Sequence, residues 1–270
     1  DYVINCGNNA SAEMLQLMTR ATKFNGKVID VKPKFVCEKE PGFLVSSYPR
    51  VGTHMAVTAL ARHPELMAYG EVFNMESQNG THKFPDPRQV MEGFWTGGKI
   101  GVAAHAYIGQ RGGHHRLMAP QRDYNDFWDH LPRKLKVISI RRHNLLARHV
   151  SHLKAKQTNI WNKYGDDNAP VARAVNVDMV HLDRDIGFIK KVWESVDKRY
   201  PDCLVVWYED MCEHWEREYS RMLAYLEVED VAQPPSSNKI GRPLREDIAN
   251  YDQVVKLLEE RGGMEAVTAK

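Results

Sequence analysis

Twice in this chain a short apolar run leads through a tight polar turn directly into helical periodicity. Gly42-Phe43-Leu44-Val45-Ser46-Ser47 passes through Tyr48-Pro49-Arg50-Val51-Gly52-Thr53 into a helix carrying Met55, Val57, Ala59, Leu60 and Ala61, with Pro64 marking its end. Lys136-Val137-Ile138-Ser139-Ile140 passes through Arg141-Arg142-His143-Asn144 into a helix with Leu146, Val150, Leu153, Gln157 and Ile160 at steps of four and three. Strands that feed helices in this way need a parallel sheet with crossovers, so the pattern predicts an α/β domain.

Later segments fit the same plan. Met179, Leu182, Ile186, Ile189, Trp193 and Val196 hold a three-four alternation until Tyr200-Pro201 stops it, and this helix should pack on the sheet. Cys203 to Tyr208 reads as the next strand, with Glu209-Asp210 capping a helix that buries Trp215, Tyr219, Met222, Leu223 and Leu226. A last helix runs from Asn250-Tyr251 to Leu258. The expectation is one three-layer domain over 1–270 with a central parallel sheet and helices on both faces, its first forty or so residues of undefined role. Two stretches rich in Gly, Pro, Asn and His, Asn74 to Gly98 and Gly109 to Arg133, read as lids or substrate walls.

Composition narrows the function classes. Thirty-seven Lys+Arg against 35 Asp+Glu leave a formal charge of +2, too little for the basic footprint of a general nucleic-acid binder. Cys6, Cys37, Cys203 and Cys212 form no CxxC pair, so a zinc knuckle or thioredoxin-like motif has no support, and a reducing cytoplasmic setting fits best. No apolar run is long enough to span a membrane, and the first residues show no basic region leading into an apolar one. Gly112-Gly113-His114-His115 lacks a nearby carboxylate or Cys at ligand spacing, so no metal is expected.

The turn after the first strand carries the chemistry. A strand, a Pro/Gly turn and a helix N-terminus aim several N–H groups at one spot, which suits an anion. This is no Walker A loop, because His54 and Met55 follow Gly52-Thr53 where a Lys is required. The turn does offer the Arg50 guanidinium and the Thr53 hydroxyl.

Ser-Tyr-Pro-Arg-Val-Gly-Thr-His-Met over 47–55 resembles the 5′-phosphosulfate loop of the sulfotransferases that use 3′-phosphoadenosine 5′-phosphosulfate (PAPS). Arg142, with Ser151 nine residues on, looks like that family's 3′-phosphate site. Tyr208-Glu209-Asp210-Met211 resembles its YEDM stretch, and Lys239-Ile-Gly-Arg242 its basic C-terminal segment; the four segments span about 42–258 in the family's order. The resemblance implies a P-loop-NTPase-like sulfotransferase fold with PAPS as donor and PAP as product. It places Tyr48, Pro49, Arg50, Val51, Gly52, Thr53, His54, Arg142, Ser151, Lys239 and Arg242 around the nucleotide. Val51 stands where the family often has Ser, and Met55 where cytosolic members have a Trp that stacks on adenine; Trp161 or Trp207 are the alternatives for that stacking.

Sulfuryl transfer needs cations at the leaving group and a base at the acceptor. Arg50 suits the first task. For the base, Glu71 in Gly70-Glu71-Val72-Phe73 is similar to the Glu of bacterial and carbohydrate-type members, and His105 falls where cytosolic small-molecule enzymes keep a catalytic His. The Glu71 match leans towards the bacterial branch, whose acceptors include saccharides and secondary metabolites, and so towards a small polar acceptor. Two other readings stay open: a nucleotide or nucleoside kinase with a degenerate phosphate loop, and a non-catalytic PAP(S)-binding protein. A homodimer stays open as a partner arrangement.

Overall fold

The computed structural model describes residues 43–71, 100–105, 136–160, 172–235 and 243–263. Among these residues five strands, β1 (Phe43–Ser47), β2 (Met67–Glu71), β3 (Ile100–His105), β4 (Lys136–Arg141) and β5 (Leu204–Trp207), form one sheet in the order β2-β3-β1-β4-β5. Every pairing is parallel. Between them run α1 (Thr53–Ala61), α2 (Leu145–Thr158) and α3 (Met179–Arg199); after β5 come α4 (Tyr208–Glu213), α5 (Trp215–Leu226), α6 (Leu244–Asp247) and α7 (Tyr251–Glu260).

The central strands explain the layering. All five residues of β1 are buried, as are Val137 to Arg141 of β4, so both faces of the sheet must be covered. From β1 the chain moves through α1 towards β2, whereas from β4 it moves through α2 and α3 the other way to β5. Right-handed crossovers in opposite directions put α1 on one face and α2 with α3 on the other. The Tyr219 hydroxyl donates to the Ala59 carbonyl at 3.2 Å, joining α5 to α1. The larger core gathers residues of β1, β4, α1, α3 and α5, and a second cluster joins α2 and the start of α3 to α7.

The local signals explain the helix limits. Asp178 caps α3, accepting from the Val180 and His181 N–H groups, and Tyr200 ahead of Pro201 ends it. Asn144 caps α2 by accepting from Ala147 N–H at 2.8 Å. Three expectations need correction. The helix after β5 is broken at His214 into α4 and α5, and Glu209, within the first turn of α4, does not cap that helix. It accepts instead from the backbone N–H groups of His143 and Asn144, 3.0 and 3.1 Å away across the sheet edge. Gln157 is exposed, and α2 buries Arg148, His149 and His152 instead.

Candidate active site at the β1/β4 crevice

β1 and β4 are neighbours whose following helices leave to opposite faces, so a crevice opens at their carboxyl ends, the place where open α/β sheets bind ligands. The two turns at that crevice are the ones singled out in the sequence.

In the first turn, Arg50 takes φ +71° and Gly52 φ +87°. Left-handed backbone costs a non-glycine residue roughly 1 kcal/mol, so Arg50 must be held there. Gly52 is required for a second reason: a Cβ built on it would lie 2.5 Å from a ring carbon of Tyr208. Gly52 is also the N-cap of α1, and the first bond back to it comes from Met55 N–H at 3.0 Å. The Thr53 and His54 amides therefore precede the first intrahelical bond, and no acidic residue in the first turn of α1 offsets the helix dipole. The buried Thr53 hydroxyl has no hydrogen-bond partner among the described residues.

Arginines hold the turn from below. Arg142 Nη1 donates to the Arg50 carbonyl at 3.0 Å, bridging the two turns across the crevice. Arg148 Nε donates to the Pro49 carbonyl at 2.8 Å, and its guanidinium lies 4.4 Å from the centre of the Tyr48 ring. The Arg50 Nε in turn donates to the Ser151 hydroxyl at 3.0 Å. Arg142 sits 4.5 Å over the Tyr208 ring, with Nε 3.7 Å from the Glu209 carboxylate. Burial draws its pKa down, opposed by Tyr208 and Glu209.

Arg141, one residue earlier, has a different task. It is buried, pairs with Asp197 of α3, donates to Ser139 and lies 5.5 Å from the Trp193 ring centre. Alternation along a strand sends adjacent residues to opposite faces, which separates the two arginines.

The sequence-selected residues fall as follows. Tyr48, Pro49, Arg50, Val51, Gly52, Thr53, Arg142 and Ser151 surround the crevice. Val51 is wholly buried in the core, and Tyr48 spends its hydroxyl on Asp185 at 3.1 Å. His54 Nε2 lies 3.4 Å from the Thr58 hydroxyl one turn on. Glu71 and His105 end β2 and β3 and so stand at the same carboxyl edge. His105 is in register with Ser47 on the adjacent strand, whereas Glu71 is paired with Ala103, one strand further out and two residues short of His105. Lys239, Arg242, Trp161, Gly112 to His115 and both long irregular stretches lie outside the described residues. Trp207 stacks on His143, with ring centres 3.6 Å apart and planes 14° apart.

Four residues were not picked out from the sequence: Arg148, His149, Asp185 and Glu209 in its bridging role. The one sequence signal was a string of polar residues on the α2 face that continues from Asn144 and leads to Ser151. Among the described residues no group of three or more His, Cys, Asp or Glu is placed to hold a metal ion, and no helix is long and apolar enough to cross a membrane.

The sequence matches no protein-family model and no curated protein. Solved structures with a similar fold include a sulfotransferase from Alicyclobacillus acidocaldarius, 13% identical, covering 84% of this chain and 95% of that one with a TM-score of 0.47. Another is mouse sulfotransferase SULT7A1 complexed with PAP, 13% identical, covering 87% of this chain and 69% of that one with a TM-score of 0.38.

Proposed function

We propose that this chain is a sulfotransferase that moves the sulfuryl group of PAPS to a hydroxyl or amine of a small polar acceptor. The observation that carries this reading is the Arg142–Arg50 contact across the β1/β4 crevice, which brings a guanidinium to a helix N-terminus whose buried Thr53 hydroxyl has no partner among the described residues. A nucleotide with anions at both ends of one ribose matches such a pair of cation-rich turns.

The residues present fit that nucleotide. The turn amides, the Thr53 hydroxyl and Arg50 would hold the 5′-phosphosulfate; Arg142 and Ser151 would hold the 3′-phosphate, with Lys239 and Arg242 as further cations. PAPS, when bound, supplies a sulfuryl group on a phosphate leaving group. Arg50 balances the negative charge that develops at the loop, an interaction worth most where charge grows only in the transition state. A base at the carboxyl edge takes the acceptor's proton. His105 ends the strand next to β1, about 5 Å across the sheet, and Glu71 ends the one beyond, about 10 Å away. Both therefore remain bases for this proposal, with His105 the nearer in backbone position.

A labelled-sulfate transfer screen against a metabolite extract, read by mass spectrometry for products heavier by one SO3, tests the reading. Single-turnover rates of Glu71→Gln and His105→Ala then assign the base. A carboxylate base would keep activity into mildly acidic pH, and an imidazole base would lose it as pH falls below about 6.5. Failure to transfer sulfate to any acceptor, with PAPS intact, would contradict the proposal.

A further inference from the structure

Beneath the phosphate-binding turn lies a buried polar network outside the roles assigned so far. Arg148 is among the largest fully buried side chains, 1% exposed, and it spends Nε on the Pro49 carbonyl and Nη1 on Asp185 of α3. Asp185 also accepts from the Tyr48 hydroxyl at 3.1 Å, and its other oxygen lies 2.7 Å from His149 Nδ1. We propose that Arg148, neutralised by Asp185, is a positioning residue that sets the direction of the loop amides without touching the ligand; this rests on the sulfotransferase reading above.

The physical reason is the planarity of the peptide. In a trans peptide unit the C=O and N–H point in opposite directions. Fixing the Pro49 carbonyl on Arg148 therefore aims the Arg50 N–H away from Arg148, and fixing the Arg50 carbonyl on Arg142 aims the Val51 N–H away from Arg142. Each of two consecutive peptide units is thereby turned so that its donor points away from the arginine holding its carbonyl. This is also what holds Arg50 at φ +71° despite its side chain. Buried and paired, Arg148 brings almost no net charge towards an anion, so its effect on binding runs through backbone geometry. Asp185 serves two neighbouring residues of the loop, because it accepts from the Tyr48 hydroxyl and pairs with Arg148, which holds the Pro49 carbonyl.

The test compares three probes by calorimetry: adenosine 5′-phosphate, adenosine 3′-phosphate and adenosine 3′,5′-bisphosphate. Arg148→Lys replaces the planar fork that reaches Pro49 and Asp185 with a point charge on a shorter side chain. The double variant Arg148→Met, Asp185→Asn leaves no lone buried charge and carries the test if the lysine variant does not fold. The expected result is a loss of about tenfold or more for the two probes bearing a 5′-phosphate, with adenosine 3′-phosphate held within about twofold. A general loss of stability would not separate the two ends. Equal weakening of all three probes, unchanged affinity for all three, or failure of both variants to fold overturns the positioning role. If the unsubstituted protein binds none of the probes, the sulfotransferase reading itself falls, which is a distinct result.

Discussion

The guanidinium of Arg50 reaches across from the β1–α1 turn to the Ser151 hydroxyl on α2, 3.0 Å away and 101 residues on in sequence. The two groups expected at opposite ends of a nucleotide thus meet in the protein alone. A phosphate that engages Ser151 must share the hydroxyl with Arg50 or release Arg50 towards the other end of the ligand. Ser151→Ala should lower affinity for adenosine 3′,5′-bisphosphate by about tenfold, the worth of one hydrogen bond to a charged group, with little change in melting temperature. Calorimetry paired with thermal melting checks both halves of that expectation.

Arg141 and Arg142 should separate cleanly. Arg141→Ala removes the pair with Asp197, whose carboxylate is half exposed, and should cost about 1–2 kcal/mol of stability with nucleotide affinity intact. Arg142→Ala should do the reverse in binding, weakening the bisphosphate by tenfold or more. Urea unfolding and calorimetry on the two variants measure this, and equal effects on binding would contradict the division of labour.

Gly52→Ala combines a left-handed backbone with a Cβ pressed into the Tyr208 ring. A loss of about 2 kcal/mol or more in stability is expected, along with weaker nucleotide binding, because the ring must move and it also lies under Arg142. Chemical denaturation reads the first effect directly.

Asp185 gives the network a pH signature. Burial by itself would push its carboxyl up, but the His149 hydrogen bond, the Arg148 charge and the Tyr48 hydroxyl outweigh that and bring it down to about 2. The unfolded chain ionises near 3.9, so between the two values the unfolded state binds more protons. Asp185 therefore contributes stability that is fully present above about pH 4 and is lost as pH falls towards 2, on the order of 2 kcal/mol. Asp185→Asn should flatten that part of the stability-versus-pH curve, and an unchanged slope would show that Asp185 is not so held.

Much of the frame was legible in the residues themselves. The apolar runs at β1, β4 and β5 and the three-four alternation of α3 are local signals, and they gave strands and a helix within a residue or two of where they lie. The turn at Pro49 to Thr53 was legible because Pro and Gly restrict backbone directly. Arg148 and His149 were not, since hydrophobic periodicity ranks Gln157 above them. Their burial is decided by Asp185, on a helix more than thirty residues away, and no local pattern encodes such a partner. Glu209 was misplaced for the same reason: beside Asp210 at a helix start it looks like a cap, yet the amides it satisfies belong to the β4–α2 turn. The break at His214 also escaped the pattern, as apolar spacing continues across it.

The central claim is that the turns at residues 50 and 142 grip one nucleotide together. Titrating adenosine 3′,5′-bisphosphate into the protein, with ATP as competitor, tests this most directly. The account predicts saturable one-site heat that ATP displaces poorly and that Arg142→Ala and Thr53→Val each weaken. Absence of heat, or tighter binding of ATP, would contradict it.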